Sequence, residues 1–151
     1  MDNQAEYIEL QRELGDLLRL AVVCDHVRWV VLASQEAAEL GDWLREAAAQ
    51  CREWADRVAG YLAAAGVAPD GRVRSLAKGI PWSWIPPGWL SPDRAHRLVA
   101  DRLATGCEWA RYRRMQATSP GTGQLLDDVC AALEARIASL PGERTAAGAA
   151  I

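Results

Sequence analysis

Four stretches of helical periodicity, arranged as two pairs, constrain this chain more than any other feature. Across residues 4–33, Ile8, Leu10, Leu14, Leu17, Leu18, Ala21 and Val22 recur at steps of three and four, which places them on one helix face. Ser34-Gln35-Glu36 interrupts that pattern. A second stripe then runs to about Ala65 through Leu40, Trp43, Leu44, Ala47, Cys51, Trp54, Ala55, Val58 and Leu62. Gly66 stands where a glycine closes a helix, and Pro69 cannot continue one. Ser91-Pro92-Asp93 starts a third helix: a capping hydroxyl, a proline where no N–H is needed, and an acid near the positive end of the helix dipole. That helix continues to about Gln116, with Ala95, Leu98, Val99, Leu103, Gly106 and Ala110 inward. After the turn Thr118-Ser119-Pro120-Gly121, a fourth helix begins near Thr122 and carries Leu125, Leu126, Val129, Leu133, Ile137 and Leu140. Pro141-Gly142 ends it.

The connections decide how such helices pack. Short turns join the first to the second and the third to the fourth, so each pair forms an antiparallel hairpin. The link across residues 67–90 is longer and must travel the length of the bundle. Within it Arg72 to Ala77 allows one short helix, whereas Pro81, Pro86 and Pro87 forbid regular helix around Trp82, Trp84 and Trp89. The predicted fold is all-α: a ferritin-like four-helix bundle with a long crossover between helices two and three that carries a Trp/Pro-rich segment. Residues 1–142 form a single domain, and the Ala/Gly-rich residues 143–151 a flexible tail.

Composition narrows the function classes. The chain has 151 residues, is 50% hydrophobic and contains no Phe, which suits a helical core. Its net charge is -3, and Lys78 is its single lysine. Met1 to Leu10 holds Asp2, Glu6 and Glu9 and no base, so neither a cationic field nor a basic arm supports DNA binding. Two small clusters, Arg72/Arg74/Lys78 and Arg111/Arg113/Arg114, are the places where phosphates could be touched. Cys24, Cys51, Cys107 and Cys130 are far apart in apolar helical stretches, which reads as buried reduced thiols and not a zinc site. The first residues are acidic and lack an apolar leader, and no stretch is long enough to span a bilayer, so a cytoplasmic protein is expected. No P-loop, dinucleotide fingerprint or nucleophile–base pair is present.

Three segments, in order and spacing, resemble the Dps branch of the ferritin superfamily, the mini-ferritins. Leu10-Gln11-Arg12-Glu13-Leu14-Gly15-Asp16-Leu17-Leu18 leads into Arg28-Trp29 as that family's first helix leads into its His-Trp pair. Asp56-Arg57-Val58-Ala59-Gly60 and the stretch to Gly71 are similar to its Asp-x-x-Ala-Glu run and the turn after it. Gly121 to Asp128, continued through Leu133-Glu134-Ala135-Arg136, is similar to the start of its last helix. The resemblance spans roughly residues 8–140. It implies a homodimer, or a dodecameric shell, with iron handled between subunits and a role in stress protection.

At the implied ligand positions the chain departs from the family. Of the iron-binding set only Asp56 survives. Arg28 stands at the first His, Glu39 or Leu40 near the second, and Gly60 at the Glu. A guanidinium cannot ligate a cation, and one carboxylate is too little for a ferroxidase centre. The resemblance thus implies a degenerate site in which Arg28 and Asp56 from facing subunits form a charge pair, and an oligomer in a structural, binding or stress-protection role. Two alternatives stay open: an active mini-ferritin with non-standard ligands, and a small-molecule-binding protein or repurposed enzyme using the dimer cleft and the Trp-rich loop. Besides the degenerate site, His26, Trp29, Trp82, Trp84 and Trp89 are candidate ligand or interface residues. His96 and the acids Glu39, Asp42 and Glu46 read as solvated surface. No residue is assigned as catalytic, and iron is implied by the resemblance alone.

Overall fold

A computed structural model describes residues 3–78 and 85–142. Trp82, Trp84 and the tail at 143–151 lie outside the described residues. The chain forms α1 (Asn3–Val30), α2 (Gln35–Ala64), the short α3 (Val73–Ala77), α4 (Pro92–Gln116) and α5 (Pro120–Ala138). α1 packs most extensively on α2, and α4 on α5, with α1 against α4 closing the two hairpins into a four-helix bundle. α3 lies in the crossover and packs on α1.

The helix boundaries follow the local chemistry. Ser34 caps α2 by accepting from the Ala37 N–H at 3.0 Å. Ser91 caps α4 in the same way through the Arg94 N–H, with Pro92 in the first turn. Gly66 takes φ +80° just past α2, where an L side chain would be strained. α1 stops at Val30, three residues short of the expected 33. There Leu32 N donates to Leu90 O at 2.8 Å, and Leu90 N donates to Val30 O at 3.0 Å, so the chain leaves the helix to pair with the end of the crossover. α5 begins at Pro120, two residues before Thr122.

The α2 stripe is inward as expected, apart from a half-buried Trp54. Of the expected α1 stripe, Leu10, Leu14, Leu17 and Ala21 are buried and Leu18 packs on the core, whereas Ile8 and Val22 are exposed. The inward face also runs through Glu6, Leu10, Glu13, Leu17, Leu20, Cys24 and Val27. Those steps of four and three pass through two carboxylates, which a search for apolar residues skips.

α4 approaches α1 closely at Gly106. A Cβ there would meet Leu20 Cδ1 at 2.9 Å, and Leu20 is itself fully enclosed. Gly106→Val is therefore expected to cost about 1–3 kcal/mol through overpacking, seen as a lowered midpoint in chemical denaturation with an unchanged m-value.

Candidate functional site

The candidate site begins at the end of α1. Arg28 lies in its last turn and is half-buried; Trp29, beside it, is 64% exposed, with the Arg28 guanidinium 5.9 Å from its ring centre. Arg28 Nη2 pairs with Asp25 Oδ1 at 3.4 Å, and the other oxygen of Asp25 accepts from Arg52 of α2. Asp25 thus joins α1 to α2 beneath Arg28. The Arg28 Nε is buried without a hydrogen-bond partner. Asp56 and Gly60 lie one turn apart on the exposed side of α2, and Asp56 makes no ion pair among the described residues. Within one chain, then, Arg28 meets Asp25 and not Asp56. His26 is half-buried, Glu39 exposed and Leu40 buried. Among the described residues no group of three or more His, Cys, Asp or Glu is arranged to hold a metal ion.

The four thiols add no ligand. All are free and buried, and burial holds each in its protonated form. Cys51 and Cys130 are pushed up to about 12.

The aromatic candidates separate. Trp89 is exposed, whereas Trp43 is buried, with its indole N–H donating to Ser139 Oγ at 3.0 Å. The described aromatic wall lies on α4: Trp109 meets Tyr112 edge-on at 5.9 Å and 88°. With Glu9, Arg12, Glu108 and Arg113 these rings line a groove of about 620 Å³.

The basic clusters also read differently in three dimensions. Arg111 pairs with Glu134 and Arg114 with Asp127. Arg113, expected beside them as a phosphate contact, points into the bundle and is 2% exposed. It donates to Glu13, and from the same Nη1 to Asp16 Oδ2 at 2.7 Å, while its Nε lies 3.4 Å from Glu9 Oε2. Arg72 is taken up by Asp70, its Nε at 2.9 Å from Oδ1. His96, expected at the surface, is half-buried, with Nε2 enclosed and unpartnered. Glu39, Asp42 and Glu46 are exposed as expected. Asp42 is paired by Arg45, but Arg52 turns to Asp25 and leaves the acidic face.

Sequence reasoning missed the Glu13–Asp16–Arg113 cluster. Its signal was the stepping itself: Val99, Leu103, Gly106, Ala110 and Arg113 repeat at four and three, so Arg113 occupies an inward position.

Solved structures share this architecture. Dps92 from Deinococcus radiodurans matches over 91% of this chain and 84% of its own, at TM-score 0.82 and 22% identity. Dps from Staphylococcus aureus matches over 90% and 92%, at TM-score 0.81 and 12% identity. Dps from Microbacterium arborescens, solved in its high iron form, matches over 91% and 92%, at TM-score 0.79 and 14% identity. No protein-family model and no curated protein matches the sequence. The chain has the fold of these Dps proteins. At these identities the likeness is one of fold. Among the described residues, no helix is long and apolar enough to cross a membrane.

Proposed function

We propose that this chain is a Dps-like, self-associating protein that has lost ordinary ferroxidase chemistry and serves a structural, binding or stress-protection role. The observation that carries this reading is the ion network at the end of α1. Where the resemblance expects an iron-binding histidine, Arg28 is tied through Asp25 to Arg52, and α2 offers Asp56 with only the bare Gly60 one turn on. A guanidinium offers no lone pair to a metal, and Asp25 is already taken up by Arg28 and Arg52, so the residues present do not fit an iron centre.

Self-association is supported by the exposed Val22 and Trp29 on the same side of α1. Arg28, whose side chain is 26% exposed, and the exposed Asp56, which makes no ion pair among the described residues, suit a charge pair between two copies.

Incubating the protein with ferrous iron and hydrogen peroxide, then measuring retained metal, tests the loss of activity. No retained iron core is expected; a core would show that the active mini-ferritin is the correct reading. Native mass measurement is expected to give a dimer or a larger assembly of dimers. Arg28→His is expected to weaken the dimer about tenfold, and an unchanged dissociation constant would remove the Arg28–Asp56 pair.

A further inference from the structure

We propose that Glu13 keeps a proton in the folded chain because it shares Arg113 with Asp16, and that this proton is a pH-sensitive latch where α1 meets α4. The arrangement is two carboxylates on one donor. Arg113 Nη1 serves both Glu13 Oε2 and Asp16 Oδ2, which makes the two acids neighbours. The side chains of Glu13, Asp16 and Arg113 are 1%, 4% and 2% exposed, so water screens Glu13 little, while Asp16 and Arg113 border a pocket that Arg19, Asp70 and Lys78 also line.

Counting partners shows where the proton resides. Asp16 has a second guanidinium, Arg19, with Nη1 at 3.1 Å from Oδ1. Glu9 is partly exposed and has Arg12 as well as Arg113. Among the described residues, Glu13 makes its ion pair with Arg113, which it shares with both other acids. Its charge is the least compensated of the three. Three thiols also interact electrostatically with Glu13: Cys51 from α2, Cys107 from α4 and Cys130 from α5. Burial keeps all three protonated, so they bring no charge to Glu13. Like charges on one cation resolve by retaining a proton, as in other carboxylate pairs. Protonated Glu13 still accepts from Arg113 through one oxygen. Deprotonated, it pushes against Asp16 within α1, beside the guanidinium that joins α1 to α4. Desolvation first, then Asp16 and Glu9 against the opposing pull of Arg113, raises Glu13 from 4.5 to about 7.

The sign of the effect follows. Between those values the folded chain binds a proton that the unfolded chain has released. Stability contributed by this proton is full below about 4.5, falls as pH rises, and is gone above about 7. From pH 6 to 8 this corresponds to about a tenfold drop in the folding constant.

The test is a pair of measurements on the whole chain at fixed protein and salt concentration. Carbon-13 NMR of the glutamate side-chain carboxyls is expected to show one resonance titrating near neutral pH and absent from Glu13→Gln. Chemical denaturation is expected to show the wild type losing its tenfold between pH 6 and 8. Glu13→Gln, which is permanently uncharged, is expected to lose less than twofold over the same range. A Glu13 carboxyl ionised throughout at pH 6 would overturn the proposal, as would parallel pH profiles for the two proteins. Should Glu13→Gln fail to fold, the wild-type carboxyl titration decides alone, with the resonance assigned through bonds.

Discussion

Arg113→Met is expected to destabilise the protein by about 3–5 kcal/mol, the largest effect of any single polar substitution in it. The guanidinium is the common partner of Glu13, Asp16 and Glu9. Methionine fills most of the volume but leaves carboxylates in the core without a cation, and an uncompensated buried charge costs that much. Arg19 still serves Asp16, so the main burden falls on Glu13. Chemical denaturation at pH 6 and pH 8 measures it. The loss is expected to be greater at pH 8, because Glu13 can escape part of the penalty by taking up a proton. Adding Glu13→Leu is expected to restore more than half of what Arg113→Met removes, since replacing both members of a buried pair by apolar groups is often neutral. A loss below 1 kcal/mol for Arg113→Met would mean that the cluster is hydrated and contributes little.

Glu6→Ala is expected to cost about 2 kcal/mol and to alter the acid stability of the protein. Glu6 lies in the first turn of α1 yet serves α5. Its Oε1 accepts from Thr118 N at 2.6 Å, Ser119 N at 2.9 Å and Thr118 Oγ1 at 3.0 Å. Ser119, at the N-cap of α5, makes no side-chain cap hydrogen bond of its own, so a residue from another helix satisfies the start of α5. Alanine leaves these donors without a partner at a nearly closed site, and hydrogen bonds to a charged group carry about 1.5–3 kcal/mol. Burial works against the charge of Glu6, but the bonds from Ser119 and Thr118 outweigh it and lower the carboxyl from 4.5 to about 2. The resulting stability is present above about 4.5 and is lost as pH falls toward about 2. Urea denaturation at pH 3 and pH 6 checks this. The difference between wild type and Glu6→Ala is expected to shrink at pH 3, and a difference independent of pH would exclude a charged cap.

Glu6 and Glu13 have opposite pH responses although they lie two turns apart on one inward stripe of α1. Glu6 meets only donors, so ionisation helps it. Glu13 meets one donor shared with other acids, so ionisation hurts it. Nothing local to α1 distinguishes them. Glu6 reaches a residue 112 positions away, and Glu13 one 100 positions away.

The α2 stripe, the Ser34 and Ser91 caps and the two hairpins were legible in the chain because each depends on neighbours within a few positions. Caps and 3.6-residue periodicity are local physics. The face of α1 was legible at Leu10, Leu14, Leu17 and Ala21 and misread at its edges. Its true stripe includes Glu6 and Glu13, so hydrophobicity alone selected Ile8 and Val22, which are exposed. The end of α1 was overextended because Val27 to Leu32 is apolar throughout, and only the backbone pairing with Leu90 ends the helix. At the candidate site, the resemblance directed attention to Arg28. It did not identify Asp25, three residues away, as the acid that joins Arg28 to Arg52.

What the sequence determined is the set of helices and their pairing into hairpins, because these rest on residue identity and short-range spacing. Only the tertiary structure decided which polar groups are enclosed together. Arg113 looked like one member of a surface cluster until α1 and α4 were packed face to face. A charge is costly or stabilising according to what surrounds it in space, and residues a hundred positions apart supply those surroundings here.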